Sequence, residues 1–222
     1  MIVIPDALMN EISLSPVKPI SRGRHGRRVV CFPSRKNRAG VMCDSLLESD
    51  FCLELERRRS VKEYTSQPFR ITENRSQFSY VPDFEVSFSN NQTSLIEVKS
   101  ENRYKYGRSV GKLELFSSIF KECGYSLEIV LDSAFRHIHR THNLRTLYHQ
   151  SFTVTDIESA RFEVALRNLS TQKLSIANLL ASGIEPRMIA YGLFYEILLT
   201  NLDRPLTPNT VVRVEINNEQ QQ

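Results

Sequence analysis

The sequence predicts an α/β fold, a mixed sheet with flanking helices followed by a smaller helical unit, and three stretches predict it. Phe84, Val86 and Phe88 alternate with polar residues, a Ser- and Asn-rich connection follows over 87–94, and Leu95, Ile96 and Val98 form a second apolar run, which is the pattern of a hairpin. Leu47, Phe51 and Leu55 recur at i, i+4 and i+8 between Asp44 and Arg59, the stripe of a helix that packs on a sheet. A helix over 112–122, with Leu113, Phe116 and Phe120 on one face, then leads into the strand Ser126–Leu131, which gives the order strand, strand, helix, strand of a mixed α/β sheet.

The 222 residues suffice for one medium domain or one domain plus a small appendage. Hydrophobic content of 41% and charged content of 24% are ordinary for a soluble globular chain. No apolar run is long enough to cross a bilayer. The start lacks a basic segment and meets Pro5 and Asp6 early, so no signal peptide is read and a cytoplasmic protein with no membrane partner is expected. Cys31, Cys43, Cys52 and Cys123 show no C-x-x-C spacing, which points to reduced packing thiols and away from zinc.

Taken in order, residues 1–20 carry Pro5, Pro16 and Pro19 with little periodicity and read as an extended arm that folds onto a partner or onto the body of the protein. From Arg22 to Arg38 come Arg22, Arg24, Arg27, Arg28, Arg35, Lys36 and Arg38 with no acidic residue. Against a net charge of only +4, this block suits a flexible segment that follows a phosphate backbone. The helix over 44–59 opens on Ser45-Leu46-Leu47-Glu48, the form of a capping box, in which Glu48 would satisfy a free backbone N–H. Val61, Tyr64, Phe69 and Ile71 are the expected buried positions of the connection and strand that follow.

The hairpin carries the chemistry. Asp83 heads its first strand, and Glu97 and Lys99, two residues apart, share one face of the second. Carboxylates side by side repel, and a hard divalent ion such as Mg²⁺ relieves that cost through oxygen ligation. A lysine beside such an ion orients or deprotonates an attacking water and offsets charge in a phosphorane-like transition state. Beyond it, Arg103, Lys105 and Arg108 interleave with Tyr104 and Tyr106, a composition suited to phosphates and unpaired bases, with a solvated loop as the alternative.

The motif V-P-D-F at 81–84 followed by I-E-V-K at 96–99 resembles the PD-(D/E)xK nuclease superfamily, whose restriction-endonuclease-like core holds Mg²⁺ or Mn²⁺. S-L-L-E-x-D-F at 45–51, V-x-x-Y-x-x-Q-P-F at 61–69, Y-V-P-D-F and I-E-V-K, in that order, are similar to TnsA, the endonuclease subunit of heteromeric cut-and-paste transposases, including those of CRISPR-associated transposons. The likeness is good from Arg22 to Val130 and loose beyond. It implies that Glu48 is the first-helix acid, Asp83 the Pro-Asp acid, Glu97 the second-strand acid and Lys99 the active-site lysine. Some TnsA-type proteins have glutamine at the position of Glu97. The implied metal ligands are Asp83, Glu97, the backbone carbonyl of Val98, and Glu48. The implied substrate is double-stranded DNA at transposon ends, cut at the 5′ ends of the element. The implied partners are a TnsB-type DDE transposase and a TnsC-type ATPase. The alternatives are a restriction or repair nuclease acting alone, and a DNA-binding, partner-docking scaffold that no longer cuts.

Residues 134–150 read as a helix carrying Arg136, His137, His139, Arg140, His142, Arg145 and His149; with no carboxylate or cysteine interleaved, a DNA-facing or solvated helix is expected over a metal site. Beyond Phe152, helices over 156–169, 173–181 and 185–199 and a hairpin around Pro205–Pro208 resemble a winged helix. Its third helix has Arg187 as its basic residue and is otherwise apolar, so a partner-binding role is as plausible as base reading. The expected organisation is a basic arm over 1–40, a PD-(D/E)xK core over 41–152 and a winged-helix-like unit over 153–222, with a disordered tail from Asn217.

Overall fold

The computed structural model describes residues 4–17, 29–107, 110–167 and 174–215, and divides into two compact units, Met1–Phe135 and Arg136–Gln222. Four bases of the expected arm, Arg22, Arg24, Arg27 and Arg28, together with Arg108 and the tail from Asn217, lie outside the described residues.

In the first unit, β1 (Ile12–Ser15) is followed by β2 (Val30–Ser34) and β3 (Ala39–Cys43), then α1 (Leu46–Arg57), β4 (Val61–Ser66), β5 (Arg70–Glu73), β6 (Ser79–Tyr80), β7 (Phe84–Phe88), β8 (Thr93–Lys99), α2 (Glu101–Tyr106), α3 (Val110–Glu122) and β9 (Ser126–Leu131). The main sheet has the order β4-β7-β8-β9, antiparallel except that β8 and β9 run parallel. A parallel pair needs a crossover, and α3 supplies it. The predicted hairpin is present, with Phe84 opposite Ile96 and Glu85 opposite Leu95. Its turn closes through the Asn91 N–H on Phe88 O at 3.0 Å, and Asn91 takes the left-handed conformation, φ 63°, that asparagine tolerates better than most residues.

The arm folds onto the body of the protein, one of its two expected courses: β1 pairs antiparallel with β5, and Ile12 is buried with Ile71, Tyr80, Leu95, Phe116 and Phe120 in a core beneath α3. Another expectation changes, because residues 30–38 are not a flexible basic segment. Val30 to Cys43 is a β2–β3 hairpin whose tight turn is Arg35–Arg38, with Arg38 at φ 53°. Alternation explains this, because Phe32, Val41 and Cys43 face inward while Cys31 and Gly40 face out. The stretch after Lys99 is helical over Glu101–Tyr106, as α2.

The second unit contains α4 (Ile138–Ser151), α5 (Asp156–Arg167), β10 (Leu174–Ser175), α6 (Ile176–Ala181), α7 (Pro186–Phe194), β11 (Leu198–Leu199) and β12 (Val211–Val214). The strands form one small antiparallel sheet of order β10-β12-β11. The boundary expected near residue 152 lies instead after Phe135, because α4 packs on α7 through Leu144, Leu147 and Tyr148, whose ring meets Phe194 at 4.9 Å. Pro186 opens α7, and Glu196 at φ 61° follows its end. No helix among the described residues is long and apolar enough to cross a membrane.

Candidate active site

Asp83 stands immediately before β7, where Pro82 directs the chain into the ladder. Its Oδ2 accepts the Val98 N–H at 2.8 Å, which ties the carboxylate to the backbone between Glu97 and Lys99. In an antiparallel pair the N–H and C=O of one residue leave the same edge, so the Val98 carbonyl also faces the strand that Asp83 heads. Glu97 is buried, 4% exposed, and both its oxygens are engaged. Oε2 accepts the Tyr80 phenol at 2.5 Å, and Oε1 is paired with the Lys99 ammonium.

Tyr80 is the residue that sequence reasoning left without a role. Its backbone belongs to the β1-β5-β6 sheet, and its ring stacks on Phe116 at 5.1 Å and 20°. The only signal was a hydroxyl-bearing aromatic three positions before Asp83.

Glu48 occupies the third position of α1 and is 7% exposed. Its N–H donates to Ser45 Oγ at 3.1 Å, its Oε1 accepts the Ser45 hydroxyl at 2.7 Å, and its Oε2 accepts the Asp44 N–H at 2.8 Å. The capping role is therefore present, with Asp44 supplying the backbone donor in place of Ser45. Glu48 also belongs to the acidic cluster electrostatically. Burial raises the Asp83 carboxyl well above its usual range, and the charges of Glu97 and Glu48 add to that rise, opposed by the Val98 N–H and Lys99. Burial likewise raises Glu48, against its bonds from Ser45 and Asp44. Burial works against the charge on Lys99, but Glu97, Asp83 and Glu48 outweigh it and leave the ammonium above its ordinary value. Lys99 is thus held protonated at neutral pH, as a fixed positive charge.

No protein-family model matches the chain, and no curated protein does.

The cluster's donors are all oxygens and its charge is negative and crowded, which suits a hard divalent cation. The Asp83 Oδ1 makes no hydrogen bond among the described residues, leaving one carboxylate oxygen available. Against this, no group of three His, Cys, Asp or Glu side chains among the described residues is arranged to hold a metal ion. Glu97 and Glu48 each turn both oxygens to protein donors. The residues fit Mg²⁺ in chemistry, and Glu97 and Glu48 would have to exchange a protein donor for the ion.

The expected DNA contacts separate. Arg38 and Arg103 are exposed and Arg35 half-buried. Lys105 is exposed and paired with Glu101 Oε1 at 2.7 Å along α2. Lys36 departs from the expectation. Its ammonium donates to Arg58 O at the end of α1 and to Val61 O at 2.6 Å, and burial lowers its pKa to about 8 despite Glu56. It belongs to a polar knot in which the Ser34 hydroxyl donates to Glu56 Oε1 at 2.5 Å, the Tyr64 phenol donates to the same oxygen at 2.9 Å, and Asn37 brackets the Tyr64 backbone. Lys36 therefore serves to fasten the β2–β3 turn to α1.

Proposed function

We propose that the chain is a Mg²⁺-dependent DNA endonuclease of the PD-(D/E)xK kind, acting as a TnsA-type subunit that hydrolyses the phosphodiester at the 5′ ends of a transposon. The observation that carries this reading is the tie of Asp83 to Val98 N–H, beside the Glu97–Lys99 pair and within the field of Glu48. The order α1, β4, β7, β8, α3, β9 supports a restriction-endonuclease-like core. The order α5, β10, α6, α7, β11, β12, with strands arranged β10-β12-β11, supports a winged-helix-like second unit.

In this reading Asp83, Glu97 and the Val98 carbonyl, with Glu48 nearby, would hold Mg²⁺ or Mn²⁺. Bound there, the ion supplies Lewis acidity and a more acidic water. The chain's own part is to place Lys99 as a fixed cation against the charge that develops on phosphorus oxygens. Tyr80 holds the Glu97 carboxylate in place.

One observation favours a second reading: the lack of a metal-ready trio among the described residues suits a scaffold that binds DNA and partners without cutting. Excision of a donor element by the chain together with its TnsB-type transposase and TnsC-type ATPase separates the readings. The endonuclease reading expects 5′-end cuts that need Mg²⁺, fall at least about 100-fold in Asp83→Ala and Lys99→Ala, and nearly vanish when the partners are omitted. Undiminished 5′ cutting by Asp83→Ala would establish the scaffold. Robust cutting by the wild-type chain alone would establish a stand-alone nuclease.

A further inference from the structure

We infer that Tyr80 makes the acidic site selective for Mg²⁺ and Mn²⁺ over Ca²⁺ by keeping one oxygen of Glu97 from the ion, an inference that rests on the endonuclease reading for the ion itself.

Glu97 has two partners, and only one of them is free to leave. The Lys99 ammonium, on Oε1, ends a flexible side chain that is 30% exposed. The Tyr80 phenol, on Oε2 at 2.5 Å, is fixed from three sides. Its ring stacks on Phe116 at 5.1 Å and lies 6.0 Å from Phe120, and its main chain is paired with Ile71 in the β5–β6 ladder. An arriving cation repels Lys99 and displaces it from Oε1, whereas a neutral phenol stays where the packing holds it. The ion therefore meets Glu97 through Oε1 alone. Oε2 keeps the Tyr80 hydroxyl, an outer hydrogen bond of the kind that orients a ligating carboxylate.

The other groups also offer single oxygens. Asp83 Oδ2 accepts the Val98 N–H at 2.8 Å, which leaves Oδ1. The Val98 carbonyl has one oxygen to give. Glu48 is committed at both oxygens to the cap of α1, on the Ser45 hydroxyl at 2.7 Å and the Asp44 N–H at 2.8 Å. The site thus presents Asp83 Oδ1, Glu97 Oε1 and Val98 O, one from each group, and neither carboxylate chelates with both oxygens.

That set is poor for Ca²⁺, which gathers about 6–8 oxygens and completes its shell with bidentate carboxylates. It is good for Mg²⁺, which wants a near-ideal octahedron, binds through one or two carboxylates and keeps several waters, and Mn²⁺ shares the octahedral preference. Were the Tyr80 hydroxyl there only to satisfy a buried carboxylate, its loss would lower stability and leave the choice of ion unchanged. The two roles part at the ion preference. Without the hydroxyl, Oε2 is released, Glu97 can chelate, and the larger ion gains.

The test uses the full chain without DNA, so cleavage plays no part. Free Mn²⁺ is followed by electron paramagnetic resonance, and bound Mn²⁺ is displaced with Mg²⁺ and, separately, with Ca²⁺. Wild type is expected to favour Mg²⁺ over Ca²⁺. Tyr80→Phe, which keeps the ring on Phe116, should shift that ratio toward Ca²⁺ by about 10-fold, the lower end of what outer bonds to metal ligands contribute. Terbium(III), a luminescent ion of Ca²⁺ size, adds a count of bound waters from its decay in H₂O and D₂O. The count should be about five in wild type, for a shell of about eight ligands, and about four in Tyr80→Phe once Glu97 chelates. The wild-type count decides the matter if the variant does not fold. An unchanged ratio of Mg²⁺ to Ca²⁺, or a wild-type count of about four, overturns the inference. If Mn²⁺ binding is still lost in Asp83→Ala, that outcome leaves the endonuclease reading standing. A wild-type chain that binds no Mn²⁺, or that binds it no better than Asp83→Ala does, overturns both.

Discussion

Asp83 shows how a functional side chain can cost stability. Its carboxyl is raised by burial and by the charges of Glu97 and Glu48, so its ionisation at neutral pH opposes folding. A raised carboxyl adds stability that is complete below its unfolded pKa and is lost as pH rises through the folded one. Asp83→Asn can still accept the Val98 N–H, and in EDTA at pH 7.5 it should stabilise the chain by about 1 kcal/mol, or 2–4 °C for a chain of this size. The gain should disappear near pH 3.5, as read by calorimetry at the two pH values, while excision activity is abolished. Lys36 has the opposite sign. Its pKa of about 8 lies below the ordinary 10.5, so between those values the unfolded chain binds more protons and stability rises with pH. The stability of wild type relative to Lys36→Met should therefore improve steadily in urea melts from pH 8 to pH 10. A fully exposed DNA-contacting lysine at this position would give no such trend.

At the scale of the element, α7 is nearly all buried and approaches its neighbours closely at Gly192. A Cβ there would stand 2.9 Å from Leu198 Cγ and from Phe162 Cε1, so β11 and α5 would both have to yield. Gly192→Ala should cost about 1–3 kcal/mol as an overpacked substitution, measured by thermal unfolding. Elements defined by their own pattern were legible in the sequence. The β7–β8 hairpin followed from alternation and an Asn-rich turn, and α1 followed from its stripe and from Ser45. The β2–β3 hairpin was hidden because its turn is Arg35-Lys36-Asn37-Arg38, where four polar residues that read as a DNA-tracking segment are turn chemistry. Strand β1 was hidden for a different reason. Four residues beside prolines have no local signal, and only the distant partner β5 makes them a strand. In the site, residue types and spacing placed Asp83, Glu97 and Lys99 together. The hydrogen bonds that occupy Glu97 and Glu48 depend on Tyr80 and Asp44, and no periodicity points to those contacts.

At the scale of the whole molecule, each of the two units buries its own apolar side chains among the described residues: Phe116, Phe120 and Ile71 in the first, and Leu144, Leu166 and Phe194 in the second. Phe116→Ala and Phe194→Ala should each cost about 3–5 kcal/mol. By hydrogen exchange, the first should loosen amides of β5, β8 and α3, and the second those of α4 and α7, with little crossover. A chain that loses protection evenly under either substitution would be one cooperative body.

The double membership of Tyr80 extends that view to the N-terminal end. Its main chain is knitted to β5, and through β5 to Ile12–Ser15, while its phenol grips Glu97. Anything that tugs on the first dozen residues, whether an affinity tag, a fused subunit or a bound neighbour, therefore acts on a short mechanical linkage whose far end is the acid beside Lys99.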